Sequence, residues 1–518
     1  MRCLKIILTM ACVSALCFGF NASYADAKDS ESHSQMIVTF YENVSWEEIK
    51  QYSEEWSPYG VSIIMELPMF NCLVLKTPSE IKASDLSDDP RVEKVEDDQA
   101  VKLQNSVKGQ YASFIEPVPK PPSDHYPWGI LKLYDQYYDP WSLTSVYERE
   151  DLPDPVEQAL CQLKRRKIRI AIFDTGIQFF RKDLYKVVKG GIDLVNNNTT
   201  NKQKNRHKLS VPFDDNGHGT YVAGIVCAAL DQKGKWGRNA NIELYAVKIL
   251  DESAMGELSN IIMGFQWAID NEIDIVNMSI GYKEDSLAIR RAVRVAHEFG
   301  LTMVASTGNH SNWDDTIILA ADGGAADGGA ADGGAADGGA ADGGAADGGA
   351  ADGGAADGGA ADGGAADGGA ADGGAADGGA ADGGAADGGN ESLPTFSVMY
   401  PARYPEVIAV GATTSFGELA AYSNSGSEMD IMAPGSNIIS ADITNGKRFN
   451  GYGYCSGTSQ AAAHVTAAAA LMLSLDPSMA PEELKKILVE TSIMTGTATA
   501  GEINLVAALE EIISEGRD

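Results

Sequence analysis

Apolar and polar residues follow two different rhythms along this chain. From residue 36 to 103 the pattern is short and alternating: MIVTF (36–40), VSIIMEL (61–67) and CLVLKT (72–77) read as strands, Trp46 to Glu55 as a helix, and VEKVEDD (92–98) as a closing strand. From Lys167 onward the strands lose their alternation. IRIAIFDTG, ELYAVKIL, IDIVNMSIG, LTMVASTGN and EVIAVGAT are apolar and β-branched enough to be covered on both faces. Between them lie helical patterns at Thr220 to Leu230, Leu258 to Asn271, Ser286 to Phe299, Ser459 to Leu475 and Pro481 to Thr491. The expected fold class is therefore α/β, a three-layer domain over 128–518 with a mostly parallel central sheet and helices on both faces, preceded by a small α+β unit over 36–103. In such sheets chemistry gathers at the carboxyl ends of the strands.

Other segments fit neither rhythm. Residues 1–27 carry Arg2 and Lys5, an apolar run from Ile6 to Phe20 and a small Ala25-Asp26-Ala27 site, the layout of an export signal, followed by a short leader over 28–35. This predicts a secreted, periplasmic or extracellular protein. No later stretch is long and apolar enough to cross a bilayer, so no stable membrane span is expected once the signal is removed. Residues 104–127, with PVPKPP, read as a linker. Residues 320–389 are fourteen copies of AADGG, whose two glycines in five and lack of large apolar side chains predict a solvated coil. Lengthening a loop from about 20 to about 90 residues costs only about 1.3 kcal/mol, so the domain should tolerate the insert. The basic run Lys164-Arg165-Arg166-Lys167 reads as a solvated edge before the strand at 168.

Charge and cysteine usage narrow the partners. Of the 33 excess negative charges, fourteen sit in the repeat. With no basic excess to neutralise phosphates, the charge argues against nucleic acid or an anionic membrane surface as partner. Cys3, Cys12 and Cys17 fall in the signal; Cys72, Cys161, Cys227 and Cys455 are scattered, giving no zinc pattern and leaving room for one disulfide at most.

The chemistry is concentrated in CSGTSQAAAHV (455–465), where two hydroxyls sit at the opening of an alanine-rich helix. A serine attacks a carbonyl well only with a base, an acid that orients the base, and donors for the oxyanion. His464 is five helical positions from Ser459 and rotated away from it, so it reads as a packed helix histidine. His218 stands between two glycines at a helix opening, where another chain can approach. Asp174 ends one strand and Asn309 another. Singly these could be a turn Asp and a loop Asn; together with His218 and Ser459 they gather at one edge of one sheet.

DTGI (174–177), NGHGTYVAG (216–224), VNMSIG (276–281), STGN (306–309) and SGTSQAAAHV (456–465) resemble, in this order, the sequence blocks of subtilisin-like serine proteases. The resemblance spans nearly everything from Trp128 onward except the repeat. Residues 36–103, especially DPRVEKVEDDQAV (89–101), are similar to that family's ferredoxin-like inhibitory propeptide. The resemblance implies a zymogen of an exported serine endopeptidase. Ser459 would be the nucleophile, His218 the general base, Asp174 the carboxylate that holds the imidazolium, and Asn309, with the Ser459 N–H, the oxyanion donor; Thr458 would serve local hydrogen bonding. The implied partners are polypeptide substrates and the chain's own propeptide. An extended substrate would pair by main-chain hydrogen bonds with strand-like segments around Ser279, Ile280 and Gly281 and around Ala254, Met255 and Gly256. Leu258 would line an outer apolar pocket, and Met399 would shorten the main pocket and favour small or medium residues before the scissile bond. No cofactor is required for the chemistry.

Some positions depart from the family pattern. Tyr221 stands where His is usual and Ala463 where Pro is usual. The loop AALDQKGKWGRNANIE (228–243) does not reproduce a calcium site, which leaves structural calcium, with Asp231 as a ligand, open. A catalytically weak peptide-binding scaffold and, from Ala463, an acyl-transfer enzyme remain as alternatives.

Overall fold

The computed structural model describes residues 33–103, 154–163, 167–181, 183–196, 211–230, 242–309, 348–349, 351–352, 397–443, 451–496 and 498–514. The expected signal over 1–27, most of the leader, the linker over 104–127, the basic residues 164–166, Asp231 and nearly all of the repeat lie outside the described residues. Within the repeat, Gly348–Gly349 and Ala351–Asp352 form a minimal antiparallel pair.

The first unit contains β1 (His33–Phe40), α1 (Trp46–Trp56), β2 (Ser62–Leu67), β3 (Cys72–Pro78), α2 (Ala83–Ser87) and β4 (Val92–Asp97). The strands form one antiparallel sheet in the order β2-β3-β1-β4, the β-α-β-β-α-β arrangement of ferredoxin-like folds. Alternation along β1 sorts its side chains. Met36, Val38 and Phe40 pack with Ile49, Tyr52 and Leu86 of the unit's own helices, whereas Ile37 faces the larger domain with Cys72 and Val74. A short strand β5 (Ala100–Leu103) leaves this unit entirely and joins the larger domain.

The larger domain starts with α3 (Asp154–Leu163), then β6 (Ile168–Asp174), β7 (Val188–Asp193), α4 (His218–Ala229), β8 (Ile242–Lys248), β9 (Met255–Glu257), α5 (Leu258–Asp270), β10 (Ile275–Met278), β11 (Ile280–Gly281), α6 (Leu287–Glu298) and β12 (Thr302–Ser306). It continues through β13 (Ile408–Thr413), β14 (Ile431–Pro434), β15 (Ile438–Asp442), β16 (Gly451–Cys455), α7 (Thr458–Leu475), α8 (Pro481–Glu490) and α9 (Leu505–Ser514). Seven strands pair in the order β14-β13-β12-β10-β6-β8-β7, and every pairing is parallel.

Two buried layers cover the sheet. On one face Ile168, Ile170 and Ile172 pack with α4, α7 and α9; on the other Ala171 and Phe173 pack with α5 and α6, and with the first unit's Phe70 and Val74. Helix α7 is buried along its whole length, which its run of alanines permits: small side chains let the helix lie close to β10, β12 and β13. Enlarging one of those alanines would overpack the layer at a cost of about 1–3 kcal/mol. The five expected helices are present within two residues at each end. Sequence patterning missed α3, α9, β7, β14 and the hairpin β15–β16. The four described cysteines form no disulfide.

Candidate active site

Asp174 is the last residue of β6, where the parallel sheet opens, and its side chain is fully buried. The backbone N–H of Thr175 donates to its Oδ1 at 2.8 Å. His218 opens α4, and its Nδ1 lies 3.0 Å from Asp174 Oδ1 and 2.9 Å from Oδ2. Neighbouring glycines make this approach possible. Gly217 has φ of 112°, a left-handed conformation that favours glycine. A β-carbon at Gly219 would lie 2.2 Å from the Gly176 carbonyl oxygen and 3.1 Å from Asp174 Cβ, so any side chain there would push the helix off the strand end.

Asp214, absent from the sequence-based set, organises the turn that presents the imidazole. Its carboxylate accepts from Thr175 Oγ1, from the backbone N–H groups of Asn216, Gly217 and Thr220, and from Thr220 Oγ1. Burial pushes its carboxyl above the usual range, and these donors act against that rise. The sequence signal was an Asp four residues before the histidine, next to an Asn-Gly turn. Lys248 was also missed: buried at the end of β8, its Nζ donates to the Thr175 and Leu250 carbonyls at 2.8 and 2.9 Å and to Asp215 Oδ1 at 2.7 Å. It ties together the strand ends around Asp174.

Ser459 is the second residue of α7 and is fully buried. Its Oγ and the Nε2 of His218 have no hydrogen-bond partner. Asn309 follows β12; its Oδ1 accepts from the Thr458 backbone N–H at 2.8 Å and from Thr458 Oγ1 at 2.9 Å. With the amide oxygen held this way, Nδ2 is turned toward the Gly457 side of the helix start, where a β-carbon on Gly457 would lie 3.1 Å from it. His464 is placed apart from this group: its Nδ1 bonds the Gln460 carbonyl at 2.9 Å, and burial lowers its pKa to about 4. Tyr221 sends its hydroxyl to the Ile438 and Gly453 carbonyls of the β15–β16 hairpin, tying α4 to that hairpin.

The groove beside these residues holds a strand of the chain itself. β5 lies between β9 and β11, antiparallel to both: Leu103 faces Ile280, Lys102 faces Gly281 and Met255, and Val101 faces Gly256. The Leu103 N–H also donates to the Ala254 carbonyl at 3.0 Å. A β-carbon at Gly256 would come within 2.1 Å of the Ile249 carbonyl, so only glycine lets β9 run this close to the sheet. Ser279 is buried and accepts from Asn277 Nδ2 at 3.1 Å. Leu258 is fully buried in the same apolar layer as Val101. The Met399 N–H donates to the Thr307 carbonyl at 3.0 Å, and its sulfur would lie 3.2 Å from a β-carbon at Gly308.

Among the described residues no group of three or more His, Cys, Asp or Glu side chains is arranged to hold a metal ion, and no helix is long and apolar enough to cross a membrane.

Comparison with known proteins places the chain in a family. The profile of the subtilase family, peptidase family S8, matches residues 165–338 and 385–509. A subtilisin of Bacillus pumilus is 30% identical over 346 residues, 66% of this chain and 91% of that protein. Subtilisin DY of Bacillus licheniformis is 29% identical over 350 residues, 67% of this chain and 92% of its own length. Among solved structures, fervidolysin from Fervidobacterium pennivorans, a keratinolytic enzyme related to subtilisin, superposes with a TM-score of 0.59 at 18% identity, covering 94% of this chain and 62% of that one. A parallel sheet with this fold, and relatives of this similarity along most of their length, leave one conclusion: the chain belongs to the subtilase family and is a serine endopeptidase.

Proposed function

We propose that the chain is an exported zymogen whose peptidase activity runs through Asp174, His218 and Ser459, with Asn309 as an oxyanion donor and residues 36–103 as an inhibitory propeptide. The supporting observation is the pairing of His218 Nδ1 with both oxygens of Asp174; Nε2 and the Ser459 hydroxyl are buried and make no hydrogen bond, to each other or to any other group. In this reading Ser459 Oγ attacks the scissile carbonyl carbon while its proton passes to His218 Nε2. Asp174 holds the Nδ1–H tautomer and stabilises the imidazolium. The carbonyl oxygen, now negative, is received by Asn309 Nδ2 and the Ser459 N–H at the positive end of α7. Collapse expels the amine, which takes the proton from Nε2; water then repeats the sequence on the acyl-enzyme.

Substrate would occupy the place of β5 and add a strand between β9 and β11, so that affinity comes mainly from main-chain bonds. The same occupancy supports the inhibitory role of the first unit, because a groove filled by Ala100–Leu103 has no room for another peptide. Self-processing tests the reading. Expressed with its natural leader, the protein should leave its cells with an N-terminus between residues 104 and 127, near the start of that interval, while Ser459→Ala should remain uncut. An uncut wild-type protein, or a Ser459→Ala protein processed equally well in a protease-deficient host, would contradict it.

A further inference from the structure

One buried group beside Ser459 has no role in the mechanism so far. Gln460 is fully buried, and neither Oε1 nor Nε2 has a hydrogen-bond partner. Leaving such groups unbonded costs about 1–3 kcal/mol each, so the ordinary structural uses come first. At the third position of a helix, Gln commonly folds back to accept the N–H of the N-cap residue. Here the N-cap is Gly457, and its N–H goes instead to the Gly435 carbonyl at 2.9 Å. The other carboxamide at this helix start, Asn309, has its oxygen occupied by Thr458.

Gln460 nevertheless reaches back over that turn. A β-carbon at Gly457 would lie 2.6 Å from Gln460 Oε1 and 3.1 Å from Asn309 Nδ2, so the two carboxamides flank the same side of one α-carbon, two residues before Ser459. The absence of a side chain at Gly457 keeps the space between them open. The buried groups without partners among the described residues include Ser459 Oγ, His218 Nε2 and both ends of the Gln460 amide. The first two acquire partners when substrate reacts.

We propose that Gln460 is a further catalytic residue, its side-chain N–H joining Asn309 Nδ2 and the Ser459 N–H as a third donor to the oxyanion. A half-turn of the amide exchanges oxygen for nitrogen at the face toward Gly457, and a developing negative oxygen selects the nitrogen. The proposal rests on the assignment of Ser459 as nucleophile.

Gln460→Met and Gln460→Glu test it in the processed enzyme, with a peptide amide substrate and a peptide boronate that mimics the tetrahedral intermediate. Gln460→Met should lower kcat about 10- to 100-fold with KM unchanged, and weaken the boronate by a similar factor. Gln460→Glu should lose more at alkaline pH, where the carboxylate cannot donate, and its activity relative to the parent at the same pH should rise as the solution is acidified. Should either variant fail to fold, Gln460→Asn, which withdraws the amide by one methylene, is judged by the same kcat and boronate criteria. Unchanged kcat and unchanged boronate affinity in a variant whose Ser459 still reacts with a fluorophosphonate would overturn the Gln460 proposal alone. Failure of the wild-type serine to react would instead remove the nucleophile assignment beneath it.

Discussion

Asp214 gathers five hydrogen bonds around the turn that carries His218 and so helps to fix that turn. The strand-end and helix-start positions of Asp174, His218, Asn309 and Ser459 were legible in the sequence because each stands inside a recognisable block. Asp214 and Lys248 were not, since a buried carboxylate or ammonium shows itself only through partners supplied by other segments. Two predictions belong to this scale. On the proposed role of Asn309 as oxyanion donor, Asn309→Ala should lower kcat by about 100-fold or more with KM little changed; equal kcat in the variant and the parent would contradict that role. Met399, packed against Gly308, should restrict the main pocket. Profiling with a peptide library should show preference for small or medium residues before the scissile bond, and Met399→Gly should shift it toward Phe and Tyr. A parent enzyme that already cuts best after Phe or Tyr would contradict this.

At the scale of elements, the strong apolar runs announced β6, β8, β10, β12 and β13, but β7, built from VKGGID, carries too little hydrophobic signal and is held by its neighbour β8. Helix α4 begins at His218, two residues earlier than its periodicity suggests, because Asp214 accepts the N–H groups of Gly217 and Thr220 from outside the helix. The first unit is fixed to the larger domain in a comparable way. Glu96 takes the Ser286 hydroxyl and the N–H groups of Leu287 and Ala288 at the start of α6, and Asp98 takes the Ser259 N–H at the start of α5. Burial raises the Asp98 pKa to about 6, against the lowering effect of that bond. A docked Asp98 thus holds its proton more tightly than it would in the separated segment. Its contribution to docking is complete below the ordinary carboxylate range and is lost as pH rises through about 6. Inhibition of the mature enzyme by the 33–103 segment should therefore weaken across that window, and Asp98→Asn should flatten the slope and tighten inhibition at neutral pH. Identical pH profiles for the two segments would contradict the assignment.

Across the whole molecule, patterning predicted a parallel sheet with helices on both faces, but strand order and the seat of the first unit lie beyond local periodicity. Both depend on which surfaces meet, as when Ile37, Phe70 and Val74 of the first unit complete the apolar layer over α5 and α6. The AADGG insert enters after Asn309 and leaves before Ser397, within one connection between β12 and β13. Loop-closure entropy makes it a small thermodynamic burden. Replacing residues 320–389 with a short Gly-Ser link should raise unfolding stability by no more than about 1–2 kcal/mol and leave turnover of short peptides unchanged. A collapse of activity on short peptides would show instead that the insert shapes the site.

Labelling with a fluorophosphonate after removal of the propeptide tests whether His218 activates Ser459. A single adduct is expected, mapped to Ser459 by mass spectrometry, whose formation is abolished in Ser459→Ala and slowed by orders of magnitude in His218→Ala. An adduct on another residue, or equal labelling rates with and without His218, would contradict it.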